Sequence, residues 1–177
     1  AIGDIYYQTN GKAEGVVCWI ADTIYSHEGK YYGNTGKMIS IDERDTGTYC
    51  TIDYPTYAFD SVDGRPNTAI HKALLSDTST YLFKERLEAA QWCLDKGEGW
   101  YFPAKLEMLQ VYENMEIINN SIGEAGGEKF HLDIMDPEDF AYWTSTEVPG
   151  GKYAYYIYRL NDNIIFSKGS FFAPKHV

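Results

Sequence analysis

The order of the predicted strands and helices constrains the fold of this chain more strongly than any other sequence feature. Strand-like runs occupy both ends of the chain, and the segments with helical spacing are grouped between residues 68 and 126. A doubly wound parallel sheet would require strands and helices to alternate. The sequence therefore predicts an α+β fold with small antiparallel sheets, in which the first and last strands can pair.

Runs of apolar, β-branched and aromatic residues predict the strands. Residues 15–21 form a continuous apolar run whose length fits a strand buried on both faces, at the centre of its sheet. A shorter strand at residues 3–7 precedes it, and Asn10-Gly11 is a turn typical of hairpins. Further strands are predicted at residues 38–41, 141–144, 152–160 and 164–167, and a last one begins at Phe171.

Apolar residues at a spacing of three to four predict the helices. A short helix is expected at residues 68–75, a second from Ser79 or Thr80 to Gly97, and a third from Leu106 to Gly126. Residues 42–67 contain two glycines and two prolines without periodicity. They are predicted to form a long irregular loop, and loops of this kind often have a function.

Length and charge limit the possible classes of protein. Nothing in the composition divides the chain, so residues 1–177 are predicted to form a single domain. Its 26 acidic and 15 basic residues give a formal net charge of -11, which repels phosphate backbones and anionic lipid headgroups. Nucleic acid, membrane surfaces and sulfated glycans are therefore not expected as partners.

No apolar run approaches the roughly 18 residues of a membrane-spanning helix, so this domain is not expected to insert into a membrane.

Three stretches, in their order and spacing, resemble a known family. They are Gly3-Asp4-Ile5-Tyr6-Tyr7 with Gly15-Val16-Val17-Cys18-Trp19-Ile20, then Ala89-Ala90-Gln91-Trp92-Cys93 to Gly99-Trp100-Tyr101-Phe102-Pro103-Ala104, and finally Tyr142-Trp143-Thr144-Ser145-Thr146-Glu147. On these residues the chain resembles the collagen-like-adhesin C-terminal (Lcl-type) domains of bacterial surface proteins, which are relatives of the C-type lectin fold. The resemblance implies a C-type-lectin-like domain whose terminal strands meet, with two main helices and a long irregular loop region.

The resemblance also implies a function. It points to a noncatalytic binding or adhesion module, exported to the bacterial cell surface by a signal outside this chain. Such a module recognises a glycan or a protein on a host or neighbouring cell through its loop-rich side. Two alternatives stay open, namely a carbohydrate-active enzyme with two converging carboxylates and a structural subunit of a surface assembly.

Candidate ligand-binding residues lie in two places. Trp143, Thr144, Ser145 and Glu147 would form a polar rim, since hydroxyls and a carboxylate beside an aromatic face suit a sugar or a peptide. The simpler interpretation packs the tryptophan into the core and lets the hydroxyls satisfy loop backbone groups.

The second place is the loop at residues 49–67, where aromatic and acidic side chains alternate and Tyr54 and Tyr57 are the candidates. Exposed aromatic rings there suit sugar stacking or protein binding. The competing interpretation is that these rings anchor the loop to the core.

Metal binding and catalysis find less support in the sequence. Asn161 and Asp162 offer oxygen ligands for calcium, but the preferred interpretation is a tight turn between two strands. The four histidines are widely spaced and are expected at the surface. Cys18, Cys50 and Cys93 lie in no motif of a zinc-binding or activated thiol. No catalytic residue is predicted, and no cofactor other than this possible calcium ion.

Overall fold

The strands and helices follow the predicted order. The computed structural model describes residues 1–20, 25–27, 30–32, 36–44, 47–79, 82–130, 141–150, 152–160 and 163–170. Within these residues the protein is a mixed α/β structure with antiparallel sheets. Its elements are β1 (Ile5–Tyr7), β2 (Ala13–Ile20), β3 (Tyr25–His27), β4 (Lys30–Tyr32), β5 (Gly36–Ser40), α1 (Gly64–Ser76), α2 (Glu88–Asp95), α3 (Lys105–Glu113), α4 (Met115–Glu124), β6 (Tyr142–Glu147), β7 (Tyr153–Leu160) and β8 (Asn163–Ser170).

The chain divides into two compact units. The first unit comprises Ala1–Glu43 and Gln110–His131, and the second comprises Arg44–Leu109 and Leu132–Val177. Each unit has its own three-stranded antiparallel sheet. The expectation of a single domain over residues 1–177 stays a prediction.

The sheet of the first unit has the order β1-β2-β5. The apolar run in β2 is the central strand, as predicted, and β1 pairs with it as an antiparallel hairpin. Helix α4 packs against β2 and buries Ile118 and Ile122, while Val16 is buried on the strand. Burial of these β-branched side chains removes apolar surface from water and stabilises the unit.

The sheet of the second unit has the order β6-β7-β8 and surrounds an aromatic core. Trp143 lies within ring contact of Tyr49 and Tyr156, and its indole N–H donates to the Gly47 carbonyl at 3.1 Å. Gly169 on β8 leaves room for this ring, because a Cβ there would lie 2.8 Å from it. The core is thus built from interlocking rings rather than from aliphatic side chains alone.

The second helix is shorter than predicted. It begins at Glu88 rather than at Ser79 or Thr80, and residues 82–86 form turns. Glu85 has a φ of 58°, which a right-handed helix does not accommodate. The apolar spacing that starts at Phe83 therefore reflects burial of Phe83 and Leu87 in the core, not a continuous helix.

The third predicted helix is divided in two, so the described residues contain four helices where the apolar spacing predicts three. Asn114 separates α3 from α4 and has a φ of -112° and a ψ of 14°. Its side-chain amide donates to the Gln110 carbonyl at 2.9 Å. An asparagine that bonds to a nearby carbonyl competes with the helical backbone pattern and favours a break at this position.

One predicted strand concerns residues beyond those described. The strand expected from Phe171 falls there, so its pairing with the first strand stays a prediction. Among the described residues, no helix is long and apolar enough to cross a bilayer.

Candidate functional site

Strand β6 is buried at every position although four of its six residues are polar. Each side-chain hydroxyl finds a partner. Thr144 donates to the Tyr155 carbonyl at 2.9 Å, Thr146 donates to the Asp60 carbonyl at 2.8 Å, and Ser145 accepts from the Asn67 amide at 2.9 Å. Since buried polar groups cost free energy when unpaired, these bonds hold neighbouring segments onto β6. One of those segments is the irregular loop that precedes α1.

The carboxylate of Glu147 forms three further hydrogen bonds to this loop. It accepts hydrogen bonds from the Thr56 backbone N–H at 2.9 Å, the Thr56 hydroxyl at 2.6 Å and the Tyr57 backbone N–H at 3.0 Å. Burial raises the pKa of Glu147, and these three bonds oppose the rise. Among the described residues no lysine or arginine forms an ion pair with it, so loop backbone and hydroxyl groups alone compensate its charge.

His71 lies behind Thr56 and extends the network. Its Nε2 is 3.2 Å from the Thr56 hydroxyl and 3.1 Å from the Tyr49 hydroxyl. Both hydroxyls already donate elsewhere, to Glu147 and to the Ser145 carbonyl. His71 therefore has a proton on Nε2. Complete burial lowers its pKa to about 3.

The outer side of the same loop is aromatic. Burial alternates from Thr56 to Phe59, so Thr56 and Ala58 point inward and Tyr57 and Phe59 point outward. We call the exposed surface of residues 54–62 the aromatic loop. Its large apolar side chains are Tyr54, Tyr57, Phe59 and Val62, which are 48%, 61%, 41% and 62% exposed.

Ring contacts order this surface. Tyr57 and Phe59 form an edge-to-face pair with centroids 6.0 Å apart, and Tyr54 packs edge-to-face on the buried Phe83 at 5.9 Å. Such aromatic pairs add stabilisation beyond the area that they bury. Loop and core are thus joined on one side, and ring surface stays exposed to solvent on the other.

The acidic residues within and beside the aromatic loop have partners within the chain. Asp53 pairs with Lys152, and the side chain of Asp60 accepts from the Val62 and Asp63 backbone N–H groups. Asp63 pairs with Arg65 at 2.6 Å and caps the start of α1. What the loop presents to a partner is therefore chiefly ring surface and tyrosine hydroxyl groups.

A second buried carboxylate, Glu107, supports the end of this loop. It accepts from the Gly64 and Ala104 backbone N–H groups, both at 2.8 Å, and so joins the starts of α1 and α3. A Cβ at position 64 would lie 2.2 Å from the Phe102 carbonyl, so glycine is required for this close approach. Glu107 was not predicted from the sequence. Its spacing of three residues after Ala104 is the signal of a glutamate that reaches back to a helix start.

Tyr57 has a left-handed backbone, with a φ of 66°. This conformation is unfavourable for a bulky non-glycine residue and persists where surrounding structure enforces it. The hydrogen bonds that Thr56 and Tyr57 donate to Glu147 hold the backbone in this conformation. The result is a strained residue whose side chain points into solvent, a combination often found in binding loops.

The strain at Tyr57 is measurable. We expect Tyr57→Gly to be more stable than Tyr57→Ala by about 1 kcal/mol, because glycine adopts positive φ without steric cost. Denaturant unfolding of the two variants gives this difference. The control is the same pair at Tyr7, which is exposed on β1, where alanine should be the more stable residue. Glycine and alanine of equal stability at position 57 would remove the argument for strain.

The structure separates the residues predicted as a ligand site. Tyr54 and Tyr57 are exposed on the aromatic loop, as a ligand-contacting role requires. The predicted polar rim is corrected, because Trp143, Thr144, Ser145 and Glu147 are fully buried and cannot contact a ligand at the surface. The simpler interpretation holds for them, with the ring in the core and the polar groups bonded to loop segments.

The remaining candidates are the possible calcium ligands and the three cysteines. Asn161 and Asp162 lie outside the described residues, and within those residues no group of three or more potential ligands is placed to hold a metal ion. Cys18, Cys50 and Cys93 are buried, and none of them forms a disulfide within the described residues. Burial raises the pKa of Cys50 to about 11 and that of Cys93 to about 12, so both are protonated at neutral pH and poorly nucleophilic.

No protein-family model, curated protein or solved structure matches this chain. The residues of the site are therefore the basis for a proposed function.

Proposed function

We propose that this chain is a noncatalytic recognition module with a C-type-lectin-like fold, on the surface of a bacterial cell. In this proposal the aromatic loop binds a glycan or a protein on a host or neighbouring cell. One observation supports it above all. Exposed aromatic side chains project from a loop whose backbone is bonded from behind to buried Glu147.

Rigidity of the loop favours binding. A surface that is ordered before the ligand arrives avoids the conformational entropy that a mobile loop loses on binding. Tyrosine adds a broad apolar face with a polar hydroxyl and few rotatable bonds, and it is enriched among residues that dominate binding energy. Tyr57 and Phe59, oriented by their ring contact, meet these requirements.

The carboxylates around the loop favour binding over catalysis. Glycoside hydrolysis needs two carboxyl groups that converge on a substrate bond. Glu147 is buried behind the loop, and Asp53, Asp60 and Asp63 are engaged by partners of this chain. The alternative of a carbohydrate-active enzyme would have to use acids elsewhere.

Parallel binding screens test the proposal. The purified chain is applied to a glycan array, with calcium and again with chelator, and to a library of displayed peptides. We expect at least one ligand that is lost, by roughly tenfold or more in affinity, when Tyr54, Tyr57 and Phe59 are all replaced by serine. A matched variant with serine at Tyr6 and Tyr7, which are similarly exposed on β1, should keep the ligand.

The outcomes separate the candidate functions. Equal binding by the wild type and the aromatic-loop variant would contradict the proposal. Binding that disappears with chelator and with Asp162→Ala would instead assign recognition to a calcium site at Asn161 and Asp162. No ligand in either screen would favour the alternative of a structural subunit.

A further inference from the structure

A second surface of the same unit, on the sheet β6-β7-β8, combines lysines with aromatic rings. The Nζ atom of Lys105 lies 4.4 Å from the ring centroid of Tyr155 and 4.7 Å from that of Phe166. Lys168 approaches the same tyrosine at 5.8 Å. We call these four residues the lysine face.

Sheet register explains why these side chains meet. Tyr155 on β7 is paired with Lys168 on β8, and Ile157 is paired with Phe166 two positions along. Alternate residues of a strand point to one face, so Tyr155, Phe166 and Lys168 share one face. Tyr156 points to the other face and packs in the core. Lys105 reaches the lysine face from the first turn of α3, where its backbone N–H donates to Thr146.

Neither lysine of this face has an acidic partner among the residues described. Within the described structure, Lys105 and Lys168 form no ion pair, whereas Lys152 and Arg65 each have an aspartate partner. Two cations placed against the same ring produce a local positive potential that attracts an anionic ligand.

The form of the surface selects a peptide rather than a sugar. The Lys105 ammonium group lies against both Tyr155 and Phe166, so those ring faces are not free to stack on a sugar. In the part of the chain that the structure describes, β8 pairs only with β7, and its other edge has no strand partner. Such an edge is able to pair with the backbone of an extended peptide.

We propose that the lysine face and the edge of β8 bind an acidic protein segment in extended conformation. The backbone of this segment pairs with β8, and alternate carboxylates reach Lys168 and Lys105. A segment with acidic residues at every second position presents them all on one face of the new strand. This site shares no residue with the aromatic loop, and the two proposals stand or fall separately.

Fluorescence anisotropy with synthetic peptides tests the inference. The probe is a labelled ten-residue peptide of alternating glutamate and threonine, and its control replaces every glutamate by glutamine. We expect the acidic peptide to bind more tightly than its control. Lys105→Gln and Lys168→Gln should each weaken it by about three- to tenfold, as for loss of one interfacial charge pair.

Matched controls make the result decisive. Lys72→Gln removes the same charge from an exposed position on α1 and should change the affinity less than twofold. A peptide whose backbone nitrogens are all methylated cannot donate the backbone bonds of a strand and should bind weakly. Thermal melts of each variant verify folding.

Three outcomes would overturn the inference. They are equal affinity for the acidic and neutral peptides, an equal loss in Lys72→Gln, and binding of an oligogalacturonate in place of the peptide. The last result would assign the lysine face to an acidic glycan.

Discussion

Glu147→Ala is expected to lower the free energy of unfolding by about 3–6 kcal/mol, since it leaves three hydrogen-bond donors, two of them buried, without an acceptor. The donors are the two backbone N–H groups and one hydroxyl of Thr56 and Tyr57. A loss of this size is a large part of the stability of an ordinary domain. Thermal unfolding should shift down by about 10 °C or more.

Two further variants test the cause of that loss. Glu147→Gln keeps the volume and one carbonyl oxygen but directs an amide N–H at a backbone donor, so we expect a smaller loss of about 1–3 kcal/mol. Glu98→Ala removes an exposed carboxylate and should change stability by no more than about 0.5 kcal/mol. Denaturant unfolding measures all three. A Glu147→Ala variant as stable as Glu98→Ala would show that the loop does not depend on this carboxylate.

Acidification should destabilise the protein through His71. Its pKa is about 3 in the folded state, against 6.5 for an ordinary histidine. Between these values the unfolded chain binds the proton and the folded chain does not, so stability falls as pH decreases from about 6.5 towards 3. At about 1.4 kcal/mol per pH unit, the full window corresponds to about 5 kcal/mol.

Glu147 opposes this effect. Because the pKa of Glu147 is raised in the folded state, the folded protein binds a proton at this carboxylate more readily than the unfolded chain does. This proton binding favours folding as the pH falls through the folded-state pKa. The wild type shows the balance of these and other groups. Comparison with His71→Phe isolates the histidine, because the hydroxyls of Tyr49 and Thr56 keep the bonds that they donate.

Denaturant unfolding at pH 7, 5 and 4 provides the measurement. We expect the wild type to lose more stability than His71→Phe over this range, by about 1.4 kcal/mol for each unit below 6.5. Parallel pH profiles for the two proteins would contradict the assignment of a buried, neutral His71.

The sequence predicts most elements because their patterns are local. The apolar run at residues 15–21 is long and β-branched, and it forms the central strand of its sheet. Helix limits were less accurate, because Glu85 and Asn114 interrupt the pattern through their own backbone conformations. Apolar spacing records which side chains are buried, and a turn or a helix break preserves that spacing over a few residues.

The site was only partly predictable. Aromatic residues in a long loop indicated Tyr54 and Tyr57, whose exposure the structure establishes. His71 was expected at the surface but is buried. Its partners Tyr49 and Thr56 are 22 and 15 residues away along the chain, so no local pattern indicates this burial. Glu147 bonds to a loop about 90 residues distant. Such pairings depend on the tertiary fold, and no local pattern reports them.

The most direct test measures the affinity of one ligand found in the binding screens. Wild type, Tyr57→Ser and Tyr6→Ser are compared side by side by isothermal titration calorimetry. Both tyrosines are exposed, and only Tyr57 belongs to the aromatic loop. The account predicts that Tyr57→Ser weakens binding by about tenfold or more while Tyr6→Ser matches the wild type. Equal affinities for all three proteins would contradict recognition through the aromatic loop.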